Sequence, residues 1–151
     1  MSLEWVLVAV VVGAEPSKAV GGPPPVVRAA DGSRHPIADK GFATLFYNAQ
    51  NGSPDVSVGT LELVPGAAVP EHVHEASGEW LYVVRGEVEL TTMGRTQLVQ
   101  AGSVVHLPKG QKHQAKVPST AKESFFAVQL YSPAGPEQRF VKRSALDGGS
   151  P

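Results

Sequence analysis

Three histidines and one glutamate are the residues of this chain that point most directly to chemistry. They are His72, His74, Glu79 and His113, and they lie in an otherwise apolar region that turns interrupt repeatedly. Imidazole suits Zn, Fe, Ni and Cu, and an added carboxylate also admits Mn and Fe(II). We therefore predict that the four side chains bind one divalent metal ion, with Fe or Mn favoured and Zn, Ni or Cu as alternatives.

The spacing of the four residues indicates which elements position them. Side chains alternate along a β-strand, so His72 and His74 would point to one face and reach the same ion. A small polar turn precedes Glu79 and would bring its carboxylate beside them. His113 lies far along the chain and must come from a separate strand. Such a site requires a curved sheet that wraps around the ion.

Glycines at fixed intervals surround these residues and complete two motifs. The first runs from Gly66 to Gly86 as Gly, five residues, His-x-His, four residues, Glu, six residues, Gly. The second begins at Gly102 and continues with five residues, Pro-x-Gly, two residues and His113. Together the intervals resemble the two signature motifs of the cupin superfamily. The family's second motif ends in an Asn that is not a metal ligand, and this chain has Val117 there.

The resemblance covers roughly residues 42–131 and implies a fold and a ligand set. The implied fold is all-β, a single cupin β-barrel of the double-stranded β-helix or jelly-roll kind. Each motif occurs once, so one barrel is expected rather than two. The resemblance also implies that the two histidines of the first motif, its glutamate and the histidine of the second motif hold a metal.

The pattern of short apolar runs between turns agrees with an all-β fold. The chain has 16 Gly and 13 Pro, which fits many short strands joined by tight turns. Leu61 and Leu63 share one face of their strand and are predicted to point inward. Trp80 and Tyr82 are predicted to point outward, opposite Glu79. No helix of ordinary length is predicted.

Composition limits the classes of partner. The chain of 151 residues is long enough for one domain with a hydrophobic core. Its formal net charge is −1, and its 13 Lys and Arg residues form no basic block, so neither nucleic acid nor a membrane is expected as a partner. The absence of cysteine rules out thiolate and disulfide chemistry. A small-molecule substrate is the expected ligand.

The chain is predicted to consist of four consecutive segments. Residues 1–14 have the length of a signal-peptide core but lack a basic start, so they are interpreted as a leader remnant or as an extra strand. Residues 15–36 form a Pro/Gly-rich arm, 37–135 the cupin barrel, and 136–151 a loosely held tail. A leader would place the protein in the periplasm or outside the cell; otherwise it is expected in the cytoplasm.

Three further polar residues are weak candidates for catalysis. Gln129 and Tyr131 share one face of the last long strand, and they would lie nearest the substrate if that face is internal. Parity alone leaves the internal face of that strand undecided. His106 could line the pocket or pack within its strand. His35, which precedes Pro36, is predicted to be a solvated loop residue rather than a ligand.

The sequence supports three kinds of function. The first is a metal-dependent dioxygenase, as in small cupin oxygenases. The second is a non-redox isomerase or lyase acting on a sugar acid or keto acid. The third is a non-catalytic small-molecule binding module. A homodimer is also expected from the outward aromatic residues Trp80 and Tyr82, from the Pro-rich arm and from the habit of the family.

Overall fold

A computed structural model describes residues 26–37, 40–51 and 53–146 of the chain. This part of the chain consists mainly of strands, with a 3-10 turn at Ala29–Asp31 and a helix, α1 (Gln138–Leu146). The strands are β1 (Ser33–Ile37), β2 (Gly41–Tyr47), β3 (Ser57–Leu63), β4 (Ala68–His72), β5 (Gly78–Arg85), β6 (Glu87–Thr92), β7 (Arg95–Gln100), β8 (Val104–Leu107), β9 (His113–Lys116) and β10 (Phe125–Ser132).

The strands form two antiparallel sheets. The larger sheet has the order β1-β2-β3-β10-β5-β8, and the smaller has the order β4-β9-β6-β7. The two sheets are not joined by hydrogen bonds into a closed cylinder, but their buried side chains form one hydrophobic cluster. The arrangement confirms the predicted all-β jelly roll.

Alternation along the central strands decides which side chains form the core. Leu61 and Leu63 of β3 are buried, as predicted. On β10, Phe125, Gln129 and Tyr131 belong to the buried face. The choice that sequence parity left open is therefore decided: the face that carries the two polar candidates is internal.

Gly86 carries the chain from the larger sheet to the smaller one. The sequence Arg85-Gly86-Glu87 predicts a hairpin turn, but β5 and β6 belong to different sheets. Gly86 has a φ of +73°, and a Cβ added there would lie 2.7 Å from the carbonyl oxygen of Ser124. Glycine is required at this crossing because the backbone is left-handed and another strand passes directly against it.

The predicted environment of His35 is wrong. His35 lies in β1, which pairs with β2, and its side chain is buried rather than solvated. The hydroxyl of Ser33 lies 2.8 Å from its Nε2. Pro36 fits in β1 because this strand is at the edge of its sheet, where a missing N–H group is tolerated.

The predicted loose tail contains α1, which the sequence analysis did not foresee. Phe140 of this helix is buried in the core, and Val141 packs against it. The side chain of Glu137, just before the helix, is fully buried and accepts hydrogen bonds from the backbone N–H groups of Gly135 (2.6 Å) and Ala49 (3.4 Å). These contacts attach the beginning of α1 to the barrel.

Some predictions concern residues outside the described part of the chain. They include the leader or strand at residues 1–14 and the Pro-rich stretch of the arm up to residue 25. The domain boundaries stay predictions. Among the described residues, no helix has the length and apolar character needed to cross a membrane.

Candidate metal centre

His72 and His113 face each other across two paired strands of the smaller sheet. His72 ends β4, His113 begins β9, and the two residues are direct partners in the antiparallel register. Their imidazole rings lie 4.2 Å apart, centroid to centroid. The Nδ1 atom of His72 is 2.8 Å from the carbonyl oxygen of Pro70, and that of His113 is 2.9 Å from the carbonyl oxygen of Gln111. A protonated Nδ1 donates these bonds, so Nε2 is the nitrogen of each ring that is left to ligate a metal once it carries no proton.

His74 reaches the same place from a loop rather than from a strand. We expected His72 and His74 to share one strand, but β4 ends at His72 and His74 lies in the connection to β5. The backbone N–H of Gly110, in the turn before β9, donates a 2.9 Å hydrogen bond to the carbonyl oxygen of His74. This bond ties the loop of the first motif to the turn of the second.

Glu79 enters from the larger sheet, on β5. Its Oε2 atom lies 3.0 Å from Nε2 of His74 and 3.2 Å from Nε2 of His113. One potential ligand atom from each of the four residues lies within 4.8 Å of all the others. The structure therefore brings together the complete predicted ligand set between the two sheets, and three of the four residues are buried.

Burial and hydrogen bonding act in opposite directions on these groups. Burial alone would raise the pKa of Glu79, but hydrogen bonds from His113, His74 and Gln129 outweigh it and hold that pKa below its ordinary value. Burial lowers the pKa of His72 to about 4, although the hydrogen bond to the carbonyl oxygen of Pro70 acts to raise it. Burial also acts to lower the pKa of His113, but the bond to Glu79 raises it overall. Glu79 is thus held as a carboxylate and His72 as a neutral imidazole, which are the forms that bind metals.

A hydrogen-bonded network continues from Glu79 along the inner face of β10. The side-chain amide of Gln129 donates to Oε1 of Glu79 (2.6 Å) and to the hydroxyl oxygen of Tyr131 (2.7 Å). The guanidinium of Arg139, on α1, donates to the same hydroxyl oxygen (3.3 Å). Burial raises the pKa of Tyr131 well above its ordinary value, and the negative charge of Glu79 adds to this effect. The network connects the cluster to the C-terminal helix.

The three weak catalytic candidates have different positions. Gln129 lines the central cavity. Tyr131 is buried and does not line the cavity, but it interacts with Glu79 as part of the hydrogen-bonded network. His106 lies outside the cavity on the outer face of β8, where it stacks on Trp80 at a centroid distance of 4.6 Å. The structure therefore brings Gln129 and Tyr131 to the cluster but not His106.

A cavity of about 400 Å³ opens above the cluster. His72, Glu79 and His113 line it together with Gln129. Its walls are mostly apolar and include Ile37, Leu61, Leu81, Leu90, Leu107 and Phe140. Such a volume suits a small organic ligand, and the apolar walls would keep most water away from the cluster.

Sequence reasoning missed two charged residues of this cavity. Arg139 of α1 and Glu71 of β4 both line it. Glu71 lies next to His72 in the sequence, so its position close to the cluster could have been inferred from the motif. Arg139 gave no such signal, because it depends on a short helix whose first two turns contain only two large apolar residues, Phe140 and Val141.

The donor set fits a divalent metal ion. Three imidazoles and one carboxylate are nitrogen and oxygen ligands of the kinds that Fe, Mn and Zn accept in proteins. Pro70 and Gln111 orient two of the imidazoles, and Gln129 orients the carboxylate. Outer partners of this kind are typical of metal sites and fix the ligand atoms in place.

Comparison with known proteins agrees with the fold and the motifs. The family model of the Cupin domain matches residues 59–128, which include all four members of the cluster. The structure also resembles an RmlC-like cupin from Shewanella frigidimarina NCIMB 400, with a TM-score of 0.64 and 17% identity over 78% of this chain and 98% of that chain. The chain contains a cupin domain. The cupin resemblance drawn from the motifs is thereby confirmed.

Other cupins share parts of this sequence or its fold. KdgF from Halomonas sp. has a TM-score of 0.63 and 18% identity, over 74% of this chain and 94% of that chain. Quercetin 2,3-dioxygenase of Bacillus subtilis (strain 168) is 28% identical over 96 residues, which are 64% of this cupin and 28% of that enzyme. This cupin therefore spans less than a third of the length of that curated relative.

Proposed function

We propose that this cupin is a metal-dependent enzyme of the dioxygenase type that acts on a small organic molecule. The observation that carries the proposal is the convergence of His72, His74, Glu79 and His113 at an apolar cavity, with ligand atoms within 4.8 Å of one another. The sequence similarity to quercetin 2,3-dioxygenase over 64% of the chain supports the reaction class.

Different residues of the chain would have different roles in such a reaction. When bound, Fe(II) or Mn(II) would supply Lewis-acid and redox chemistry toward O₂ and a coordinated substrate. The apolar walls would hold the body of the substrate and exclude water. Gln129 would keep the carboxylate of Glu79 in place through its 2.6 Å hydrogen bond. A dioxygenase needs no separate protein base, and the cavity offers few groups that could act as one.

Two other functions follow from the same site. A non-redox isomerase or lyase acting on a sugar acid or keto acid would need a proton donor or acceptor at the cavity. A non-catalytic binding module would need only the cluster and the apolar walls. The fold alone does not choose between them, because one fold carries many chemistries. The alternatives differ from the proposal in their use of O₂.

Metal analysis of the untagged protein tests the first part of the proposal. We expect close to one equivalent of iron or manganese per chain, and its loss in the His72→Ala variant. Protein that binds no divalent metal, even after reconstitution with Fe(II), Mn(II) and Zn(II), would contradict the metal site.

Oxygen consumption tests the second part. The iron-loaded and manganese-loaded proteins would be supplied with a panel of catechols, flavonols and β-diketones, each with and without a carboxylate substituent, in an oxygen electrode. We expect substrate-dependent O₂ uptake from at least one class, and none from the His72→Ala variant. Metal-loaded protein that binds members of the panel without consuming O₂ would overturn the dioxygenase proposal.

We also propose that the cupin forms a homodimer through the outer face of the larger sheet. Tyr82 of β5 and Val104 of β8 are direct partners in the register, and they are 49% and 71% exposed. Val84 of β5 adds a third exposed apolar side chain, at 47%. Contiguous exposed apolar side chains on a soluble protein mark an interaction surface.

Light scattering at micromolar concentration tests the dimer. We expect twice the mass of the chain for the wild type and a shift toward the monomer for Val104→Asp. Leu98→Asp is the matched control, because Leu98 is an exposed apolar residue of β7, in the other sheet. A monomeric wild type would contradict the proposed dimer.

A further inference from the structure

Helix α1 brings one cationic side chain to the cavity. Arg139 lines the cavity beside Phe140, while its neighbours in the cavity wall are mostly apolar. Arg139 is exposed to solvent, unlike the buried cluster members His113 and Glu79, and its end of the cavity is called the mouth. A ligand that fills the cavity would therefore have its outer end next to a positive charge.

The position of this guanidinium is fixed by its neighbours. One of its Nη2 hydrogens is donated to the hydroxyl oxygen of Tyr131 at 3.3 Å. The guanidinium carbon lies 4.8 Å from the centroid of the Phe140 ring, and Phe140 is itself buried. The buried Glu137 holds the beginning of the helix through the backbone N–H groups of Gly135 and Ala49. The side chain is thus placed before any ligand arrives, which reduces the entropy lost on binding.

Most of the hydrogen-bonding capacity of Arg139 remains available. A guanidinium carries five N–H donors in a planar fork, and the bond to Tyr131 accounts for one of them. None of the ion pairs between described residues includes Arg139. Two carboxylates line the same cavity: Glu79 is engaged by His74, His113 and Gln129, and Glu71 is exposed to water.

We propose that Arg139 binds a carboxylate group of the substrate at the mouth of the cavity. The inference rests on the proposed function, because it assigns the substrate class of the same site. A guanidinium pairs with a carboxylate through two parallel N–H···O bonds, and this geometry suits a planar anion. The rest of the ligand would be apolar, since Leu61, Leu81 and Leu90 line the cavity. The substrate class is therefore a small apolar carboxylic acid.

A carboxylate fits this mouth better than a phosphate ester does. A phosphate dianion needs several donors, and proteins supply them with clustered cations or successive backbone N–H groups. Arg139 is the only Arg or Lys among the residues that line the cavity in the described part of the chain. Glu71 adds a negative charge on the same wall, which would disfavour a dianion more than a monoanion.

Calorimetric titration with matched probes tests the proposal. Phenylacetate and phenylacetamide share size and apolar body but differ in charge, and phenyl phosphate provides the dianion. Each would be titrated into metal-free and Zn(II)-loaded protein, since zinc is redox-silent. The variants are Arg139→Gln and Arg139→Lys, with Arg85→Gln as a control at an exposed arginine that does not line the cavity. Circular dichroism would establish that each variant folds.

We expect wild-type protein to bind phenylacetate at least about tenfold more tightly than phenylacetamide, as a charge-assisted hydrogen-bonded pair would give. Arg139→Gln should abolish the difference, Arg139→Lys should keep part of it, and Arg85→Gln should leave it unchanged. A wild type that does not discriminate, or an Arg139→Gln variant that still does, would overturn the proposal. Preference for phenyl phosphate over phenylacetate would overturn the assignment to carboxylates.

Comparison of the two protein forms separates this inference from the proposed function. Discrimination by Arg139 in the metal-free protein, with no metal bound after reconstitution, would uphold the carboxylate site and reject the metal enzyme. Stoichiometric metal binding without any effect of Arg139→Gln would reject the carboxylate site and leave the metal centre intact. The two failures therefore give different results.

Discussion

The metal cluster and the mouth of the cavity are built in opposite ways. At the cluster, strand pairing places His72 directly opposite His113, and every ligand belongs to a compact motif. At the mouth, Arg139 comes from a short helix that follows the last strand. The cluster is held by backbone hydrogen bonds, whereas the mouth depends on side-chain contacts such as those of Glu137 and Phe140.

This difference separates two roles. Metal ligands tolerate little displacement, so they are placed on paired strands and a tied loop. A substrate-facing side chain can be supplied by a peripheral element, which can change without disturbing the barrel. We therefore expect variants of the cluster to affect metal binding strongly and variants of α1 to affect ligand selection and local stability.

The largest effect is expected from removing a ligand. His72→Ala should weaken metal binding by more than about 100-fold, because loss of an outer partner alone typically costs 10- to 100-fold. His106→Ala is the matched control, since His106 stacks on Trp80 outside the cavity. Competition with a chelator of known affinity measures the change, and equal affinities in the two variants would contradict the assignment of the cluster.

A smaller effect is expected from Gln129→Leu, which leaves the ligands in place. The change removes the donor to Oε1 of Glu79 and leaves the hydroxyl of Tyr131 with one hydrogen bond fewer. Metal affinity should fall by about 10-fold or more, because residues that orient a metal ligand through a hydrogen bond typically contribute that much to metal affinity. Gln97→Leu, at an exposed position of β7, should have no effect on the same chelator competition.

At the other region, Glu137→Gln should loosen α1. The carboxylate of Glu137 is fully buried and accepts bonds from Gly135, Ala49 and Gln138, so its loss should cost about 1–3 kcal/mol. Urea unfolding measures the difference in free energy, and Glu123→Gln, at an exposed position, serves as the control. Metal affinity should stay close to that of the wild type, since Glu137 does not contact the cluster.

The effect of Glu137 should also depend on pH. Burial acts to raise its pKa, but the hydrogen bonds to Gln138, Gly135 and Ala49 lower it below the ordinary value. A depressed folded-state pKa means that the carboxylate stabilises the fold fully above about pH 5 and loses this contribution as pH falls through the folded value. The difference in free energy of unfolding between wild type and Glu137→Gln should therefore shrink in acid. A difference that grows in acid would contradict this prediction.

The smallest effect is expected from Arg85→Gln. Arg85 lies 3.8 Å from Glu62 and 3.7 Å from Glu123; the side chains of Arg85 and Glu123 are exposed, and that of Glu62 is partly exposed. Exposed pairs of this kind contribute little, so the free energy of unfolding should change by no more than about 0.5 kcal/mol. A larger loss by urea unfolding would show that the outer face of the larger sheet is more strongly coupled than its exposure indicates.

The ligand set could be predicted because it depends on local spacing. His-x-His, the following glutamate and the Pro-x-Gly turn before His113 lie within two short segments, and each segment carries its own turn signals. The elements that carry the two histidines of the first motif were less predictable. A His-x-His pair fits one strand by parity alone, yet β4 ends at His72 because the next residues cross to the other sheet.

The features that were missed depend on tertiary contacts. Residues 15–36 were expected to form an arm with His35 solvated, and only the pairing with β2 shows that His35 belongs to an edge strand. Helix α1 is short and gains its stability from burial of Phe140 and from the hydrogen bonds of the buried Glu137 side chain, neither of which periodicity reveals. The internal face of β10 could be decided only once its partners were known, and that decision placed Gln129 at the cluster.

The hydrogen-bonded chain from Glu79 through Gln129 and Tyr131 to Arg139 has a thermodynamic consequence. It joins the two regions through the buried side chains of Gln129 and Tyr131, so a ligand that pairs with Arg139 would also change the surroundings of Glu79. Reciprocity then applies: the factor by which an anion at the mouth changes metal affinity equals the factor by which the metal changes anion affinity. Substrate and ion would act as effectors of each other, and Tyr131→Phe would bring that shared factor closer to one.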